Sequence, residues 1–139
     1  APKNLLLWSP FPKNCWVGFS ACNQKQFDEG VEYLKQVKAA VKFISFESLL
    51  EHITYLNNNL QQKLSDSGIS WVILGAATAP YRPPRIEWVN EICEAANKAG
   101  VPVWLKNNLK PLFDKCARLS GIGYTLRQEL PIARTNNNL

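Results

Sequence analysis

The chain has 139 residues, of which 46% are hydrophobic and 19% charged, a composition typical of one globular domain with its own core. Its longest apolar runs, such as residues 5–8 and 71–74, are far shorter than the roughly 20 residues of a membrane-spanning helix, so we expect no membrane segment. Sixteen basic and 11 acidic side chains give a net charge of +5, but the lysines are spread among acidic neighbours. A nucleic-acid surface is therefore permitted by the charge but not indicated by its distribution.

The start of the chain and its cysteines bear on where the protein acts. Residues 5–8 form too short an apolar stretch for a secretory leader, and a chain that begins at Ala1 without Met indicates processing or a fragment. Cysteines stand at positions 15, 22, 93 and 116, and no pair has the two-residue gap of a zinc knuckle or a redox motif. We therefore expect a cytoplasmic protein with free structural thiols and no bound metal.

Four short segments rich in β-branched or aromatic residues are each followed by a helix-length segment. These strand candidates are residues 15–20, 41–45, 70–75 and 101–106. Residues 1–13 form an N-terminal extension ahead of the first strand. After that strand, Phe27, Val31, Leu34 and Val37 fall at spacings of four and three, which predicts an amphipathic helix over residues 23–37.

The connection after the second strand is less regular than the others. Residues 47–68 include Asn57, Asn58 and Asn59, and we predict a short helix, a polar turn and a second helix there. After the third strand, an apolar stripe over residues 86–99 predicts a helix that stops at Gly100.

After the fourth strand, residues 111–119 are predicted to be helical. Residues 121–139 are weakly patterned and are expected to be a weakly structured, mobile C-terminal tail.

Apolar strands that alternate with helices are typical of parallel sheets, because each crossover covers a face of the sheet with a helix. We therefore predict a single α/β domain over residues 1–139, with four βα units and a parallel sheet. Four strands are too few to close an eight-stranded barrel. The sheet is then either open or a partial, half β/α barrel completed by another chain or by a missing N-terminal half.

Ligands of parallel α/β folds bind at the carboxyl ends of the strands, where loops diverge and helices begin. Polar side chains and a glycine collect at these ends, and they are the candidate ligand-binding residues. They are Ser20, Asn23, Ser45, Glu47, Gly75, Thr78, Lys106 and Asn107. The sequence indicates no catalytic residue among them.

Several polar residues at these strand ends have a structural alternative. Asn23, Ser48 and Thr78 stand where a residue commonly caps a helix or makes a turn. Glu47 and Lys106 each follow an apolar strand, so each charge needs a partner or a cavity. An ion pair between Glu47 and Lys106 and a contact with a ligand are equally compatible with the sequence.

Three other features carry weaker signals. Arg82, in the proline-stiffened loop that also holds Arg85, suits a phosphate or carboxylate, or lies exposed in solvent. His52 is the sole histidine, which excludes a multi-histidine metal site, and we predict a structural role for it on a helix. The aromatic residues are expected in the core or a pocket wall. They include Trp16, Trp71, Tyr81 and Trp104.

Several runs of the sequence resemble an uncharacterised, often phage-encoded family that is similar to radical S-adenosylmethionine enzymes. The runs are WVGFSACNQ at 16–24, KFISFESLL at 42–50, SWVILGAATAPYRPPRIEWVNEI at 70–92, VPVWLKNNLKPL at 101–112 and LRQELP at 126–131. The resemblance covers residues 14–131 and matches the C-terminal half of that family.

The resemblance implies a β/α partial barrel whose N-terminal half binds a [4Fe-4S] cluster through three cysteines and reductively cleaves S-adenosylmethionine. The four cysteines here do not have that close spacing. The resemblance also implies that part of the candidate set lines the mouth of the barrel. That part is Ser20, Ser45, Glu47, Gly75, Thr78 and Lys106.

Three hypotheses remain open at this point. The chain is the substrate-side half of a radical S-adenosylmethionine-like barrel, with cluster and cofactor bound only when an N-terminal half completes it. Alternatively, it is a stand-alone non-enzymatic module, a homo-oligomer that pairs its sheet edges. The third hypothesis is a small phosphate or carboxylate binder that uses Arg82, Arg85 and Lys106.

Overall fold

A computed structural model describes residues 1–55 and 59–131 of the chain. In chain order the elements are a 3-10 helix at Pro2–Trp8, β1 at Trp16–Ser20, α1 at Gln24–Gln36, β2 at Val41–Glu47, α2 at Asn59–Asp66, β3 at Trp71–Gly75, β4 at Ala77–Thr78, β5 at Tyr81–Arg82, α3 at Ile86–Lys98, β6 at Val103–Leu105, a 3-10 turn at Asn107–Leu109 and α4 at Lys110–Ser120.

The main sheet has four parallel strands in the order β1-β2-β3-β6. Phe43 of β2 stands beside Trp71 of β3, and Ile73 of β3 stands beside Trp104 of β6. All four strands of this sheet therefore end at the same edge, as the sequence predicts. The α/β class and the parallel sheet are confirmed.

Helices cover one face of this sheet. The side chains on that face alternate with those on the other, and their partners lie on the amphipathic helices. Phe46 of β2, for example, is fully buried and stacks on Phe27 of α1 with ring centroids 5.7 Å apart. The covered-face strand residues in the core are Val17, Phe19, Ile44, Phe46, Val72, Leu74, Val103 and Leu105.

The opposite face, which we call the open face, is only half-buried. Phe43, Trp71, Ile73 and Trp104 retain part of their exposure there. A parallel sheet normally has both faces covered by helices or closes into a barrel. The four strands therefore have helices on one face only, an arrangement consistent with partial βα units.

The helix stop predicted at Gly100 is confirmed by backbone geometry, and a second glycine stop, not predicted, ends α4. Gly100 follows α3 with a φ of 67°, and Gly121 follows α4 with a φ of 71°. Both values lie in the left-handed region, where glycine avoids the strain that a Cβ imposes.

The connection between β2 and β3 differs in part from the prediction. Residues 48–55 contain no helix, so the short helix predicted ahead of the polar turn does not lie there. The second predicted helix is present as α2, and it begins at Asn59. Asn57 and Asn58 lie outside the described residues.

A small hairpin of β4 and β5 follows β3 and was not predicted. Ala77 pairs with Arg82, and Thr78 pairs with Tyr81, in antiparallel register. The hairpin holds most of the proline-stiffened loop in an extended conformation beside the carboxyl edge of the main sheet.

The two ends of the described chain pack on the sheet and its helices. Leu5, Leu6 and Phe11 from the N-terminal segment contact the core. Near the C-terminus, Leu105 donates its amide to the carbonyl of Arg127 at 2.8 Å, and Glu129 donates its amide to the carbonyl of Val103 at 2.9 Å. Residues 126–129 therefore cover the outer edge of β6, and residues 132–139 of the predicted tail lie outside the described part.

The outer edge of β1 has no such cover. Within residues 1–55 and 59–131, no strand pairs with that side of β1. Across the same residues, no helix combines the length and apolarity that a membrane span requires.

Candidate functional site

An open groove of about 320 Å³ runs along the open face of the sheet. Its lining comes from β1, β2, β3 and β6 and from the residue after β6. The lining residues are Ser20, Phe43, Ser45, Glu47, Trp71, Ile73, Trp104 and Lys106. Alternation along the parallel strands puts these side chains on one face, so strand geometry alone builds the groove.

A charged pair stands at the carboxyl end of the groove. The ammonium group of Lys106 binds the carboxylate of Glu47, and the two side chains are 36% and 48% exposed. Glu47 is the last residue of β2, whereas the sequence placed it after the strand. The ion pair, one of the two alternatives that the sequence left open, is formed, and its exposure leaves both charges accessible to a ligand.

Two serine hydroxyls lie beside this pair. Ser20 and Ser45 are direct neighbours across β1 and β2, and Ser45 is only 6% exposed. Neither hydroxyl donates to or accepts from another protein group in the described part of the chain. The Ser45 hydroxyl is open to the groove, because Arg127 Nε is the only fully buried side-chain polar atom without a partner in the described residues, so its hydrogen-bonding capacity is available to a ligand.

The groove needs a small residue under the Lys106 side chain. A Cβ at Gly75 would lie 3.0 Å from Cδ of Lys106, which is tighter than an ordinary van der Waals contact. Gly75 thus lets Lys106 cross the end of β3 toward Glu47. Its role here is to make room rather than to contact a ligand.

Asn108 fixes the same corner and was missed by the sequence analysis. Its amide nitrogen donates to the carbonyl of Ala76 at 2.9 Å, and its amide oxygen accepts from the Ala76 N–H at 3.1 Å. Tyr81 adds a hydrogen bond to the Asn108 carbonyl at 3.1 Å. These contacts join the ends of β3 and β6 to the hairpin and hold Lys106 in place.

The amino-terminal part of the groove is aromatic. The ring of Trp71 packs edge to face against Phe43 at 6.0 Å and against Trp104 at 6.3 Å, measured between ring centroids. The Trp71 indole N–H donates to the carbonyl of Glu129 at 2.8 Å, so residues 126–129 also support this wall. The prediction that the aromatic residues lie in the core or a pocket wall is confirmed for Trp71 and Trp104. It is wrong for Trp16 and Tyr81, which are 47% and 45% exposed.

Four of the candidate residues do not join the groove. Asn23 caps α1, because its side chain accepts the Gln26 N–H at 2.9 Å. Asn107 accepts from the Gln128 amide at 3.0 Å. Thr78 and Arg82 lie exposed on the hairpin. The structure thus brings together Ser20, Ser45, Glu47, Gly75 and Lys106, whose ligand role stays a prediction.

The remaining basic and turn residues also lie away from the groove. The guanidinium of Arg85 stacks over the ring of Trp88 at 5.6 Å. Ser48 follows β2 with a φ of 70°, so it makes a turn. Arg82, Arg85 and Lys106 therefore do not converge on one anion-binding point in the groove.

His52 lies in an irregular segment rather than on the predicted helix. Its imidazole binds the carboxylate of Glu91 and stacks on Trp88, with ring centroids 5.9 Å apart. These contacts attach the segment after β2 to α3. The structural role predicted for His52 agrees with this geometry, although the helix assignment was wrong.

The four cysteines are free thiols on separate parts of the fold. Burial raises the pKa of the Cys93 thiol to about 11, which keeps it protonated near neutral pH. Among the described residues, no three His, Cys, Asp or Glu side chains come together as ligands for a metal ion.

Two groove residues that the sequence prediction missed, Phe43 and Ile73, could have been found from their alternation with other groove residues. Phe43, Ser45 and Glu47 alternate along β2, which places them on the same face of the strand. Judging the strands as uniformly apolar hid this alternation. The same period of two relates Trp71 to Ile73.

Comparison with known proteins gives one match. No curated protein and no solved structure matches the chain. A family model described as a protein of unknown function, DUF5131, matches residues 2–115, which include every strand and the first half of α4. The chain therefore belongs to the DUF5131 family.

Proposed function

We propose that this domain is the substrate-facing wall of a partial β/α barrel similar to that of radical S-adenosylmethionine enzymes. The observation that carries the proposal is the open face. Helices cover one side of a parallel sheet, and the other side presents a groove with Ser20, Ser45, Glu47 and Lys106 at the carboxyl end of the strands. This is the end at which β/α barrels bind their substrates.

The free edge of β1 supports the same proposal. Ala21 donates its amide to the carbonyl of Ser45 on β2 at 3.0 Å. Since successive residues of a strand point to opposite edges, the amides of Gly18 and Ser20 face outward. Further βα units paired with this edge would curve over the open face and enclose the groove.

The thiols of this chain do not fit an iron–sulfur cluster. They stand on separate parts of the fold, and the half-buried Cys93 thiol has a raised pKa that keeps it protonated. Under this proposal the cluster ligands lie in the βα units that join β1. The residues of this chain bind and orient the substrate and exclude water from it.

The test is made on the protein isolated anaerobically from its natural source. We expect a polypeptide or complex heavier than the 15.7 kDa of this chain, with bound iron and sulfide and with reductive cleavage of S-adenosylmethionine. An assembly without iron, or without that cleavage, would overturn the proposal.

A substitution in the groove tests the role of this domain in turnover separately from the binding of the iron–sulfur cluster. Ser20→Trp adds a bulky ring to the groove from an exposed position, so it leaves the core intact. We expect it to abolish turnover while iron and sulfide stay bound. Glu87→Trp, at an exposed position on α3, is the matched control and should retain full activity. Equal activity of both variants would contradict the proposed wall.

Self-association through β1 is a second candidate, and the free edge of β1 favours it. The five residues of this strand carry no charged side chain to discourage pairing. A two-fold axis would pair β1 with its copy in antiparallel register. Sedimentation equilibrium tests this: a dimer that Trp16→Lys converts to a monomer supports it, and a wild-type monomer rejects it.

A further inference from the structure

The groove has two zones of different chemistry along the strands. At the amino-terminal end, Phe43, Trp71 and Trp104 present ring faces and edges. The indole N–H of Trp71 is already bound to the Glu129 carbonyl at 2.8 Å. A flat aromatic group packs well against such a surface, because offset and edge-to-face contacts add to the gain from burial.

At the carboxyl end of the groove, two serine hydroxyls can form hydrogen bonds with a ligand. Ser45 is 6% exposed, and its hydroxyl has no protein partner among the residues that the structure describes. This hydroxyl opens to the groove and can both donate and accept, so a polar ligand atom can bind it in place of water. Ser20, the neighbour of Ser45 across the strands, supplies a second hydroxyl at the same height.

The charged pair restricts the charge of that ligand. Lys106 and Glu47 bind each other at the carboxyl end of the groove. An anion that takes Lys106 leaves Glu47 without a partner, and a cation that takes Glu47 leaves Lys106 without one. A ligand that carries both charges close together keeps both side chains paired.

We infer that the groove binds a free aromatic α-amino acid. This inference rests on the proposed function, since it names the substrate class of the same wall. The ring lies against Trp71 and Trp104, the carboxylate binds Lys106 and the two serine hydroxyls, and the ammonium group binds Glu47. The groove volume of about 320 Å³ is at the small end of the range for organic ligands.

The experiment follows the indole N–H resonances of the ¹⁵N-labelled full chain during ligand titrations. The ligands are L-tryptophan, indole-3-propionate, which lacks the ammonium group, tryptamine, which lacks the carboxylate, and S-adenosylmethionine. We expect L-tryptophan to shift Trp71 and Trp104 saturably, and each one-charge analogue to bind about tenfold more weakly. Equal affinities, or no shift up to about 10 mM L-tryptophan, would overturn the inference.

A variant of Glu47 tests whether the ion pair with Lys106 is the cause of the selectivity for L-tryptophan. Glu47→Gln should remove the advantage of L-tryptophan over indole-3-propionate, because the ammonium group loses its partner. Glu94→Gln is the matched control, since Glu94 pairs with Lys98 at 2.8 Å on α3, away from the groove. If the control lowers the selectivity as much as Glu47→Gln does, the assigned binding mode is wrong.

The outcomes also separate this inference from the proposed function. Selective binding of L-tryptophan by a protein whose native assembly lacks iron supports the ligand class and rejects the radical chemistry. Bound iron and cleavage of S-adenosylmethionine without selectivity for L-tryptophan support the barrel and reject the ligand class. Binding of S-adenosylmethionine alone to the groove also rejects an amino-acid substrate at this position.

Discussion

The two faces of the main sheet are built from alternating residues of the same strands, yet they serve different purposes. On β2, Phe46 is fully buried against Phe27 on the helix-covered face, whereas Phe43 is half-buried beside Trp71 on the open face. The covered face forms the core that stabilises the fold. The open face carries half-buried aromatic and polar residues, and we propose it as the surface for binding.

The two edges of the sheet differ in the same way. At β6, residues 126–129 pair with the strand and accept the indole N–H of Trp71. At β1, no described residue pairs with the outer side. The outer edge of β1 is therefore the edge at which we propose that further strands pair.

The largest expected effect on stability comes from β2, where Phe46 lies on the covered face and Phe43 on the open face. Phe46→Ala removes a fully buried ring, so we expect it to lower the free energy of unfolding by about 3–5 kcal/mol. Phe43→Ala removes a half-buried ring from the open face and should cost about 1–2 kcal/mol. Urea unfolding followed by circular dichroism measures both. Equal losses would show that both faces belong to the core.

Most of the fold was predictable because it rests on local periodicity. The spacing of Phe27, Val31 and Leu34 predicts α1, and all three are buried as expected. The hairpin of β4 and β5 was not predictable in this way. Each of its strands has only two residues, too few to display a period.

The site was predictable in part for a similar reason. The rule that ligands bind at strand ends selected Ser20, Ser45, Glu47 and Lys106, which the structure brings together. It does not distinguish a groove residue from a cap, so it also selected Asn23. The aromatic half of the groove depends on the register between strands, which a single sequence does not contain.

The next largest effect on stability is expected where α1 packs closely on the covered face of the sheet. A Cβ at Gly30 of α1 would overlap the ring of Phe19. Gly30→Ala should therefore destabilise the protein by about 1–3 kcal/mol, although alanine is favoured over glycine within a helix by about 1 kcal/mol.

The control for Gly30→Ala is Gly123→Ala, because a Cβ at Gly123 meets no atom within 4 Å. Thermal unfolding should distinguish the two variants. A stabilised Gly30→Ala variant would mean that helix propensity outweighs the overlap and that the covered face is more loosely packed than its burial indicates.

A smaller effect is expected at the outer edge of β6, where residues 126–129 pair with the strand. The Gln128 side chain donates to the carbonyl of Leu105 and to the side chain of Asn107, both at 3.0 Å. Gln128→Ala should cost about 1 kcal/mol and speed hydrogen exchange of the Leu105 amide, which donates to residue 127. Gln62→Ala, which removes a hydrogen bond to Asp66 on α2, should leave that exchange rate unchanged. Unchanged exchange in Gln128→Ala would mean that the seal does not depend on this side chain.

The smallest effect is a pH dependence of the pairing between residues 126–129 and β6. The hydrogen bond from Arg127 lowers the pKa of the Glu129 carboxyl, and the Val103 N–H, which donates to Glu129 at 2.9 Å, lowers it further. A carboxyl whose pKa is lower in the folded state contributes stability above its unfolded pKa of about 4.3 and loses it as the pH falls through the folded value.

Acid should therefore loosen residues 126–129 from β6 before the rest of the sheet unfolds. The indole N–H resonance of Trp71 reports this, because it donates to the Glu129 carbonyl. We expect that resonance to shift below about pH 4, and Glu129→Gln to remove the transition. A transition that persists in Glu129→Gln would assign the acid response to other carboxyl groups, and the edge at β6 would then be held by its backbone pairing and not by this charge.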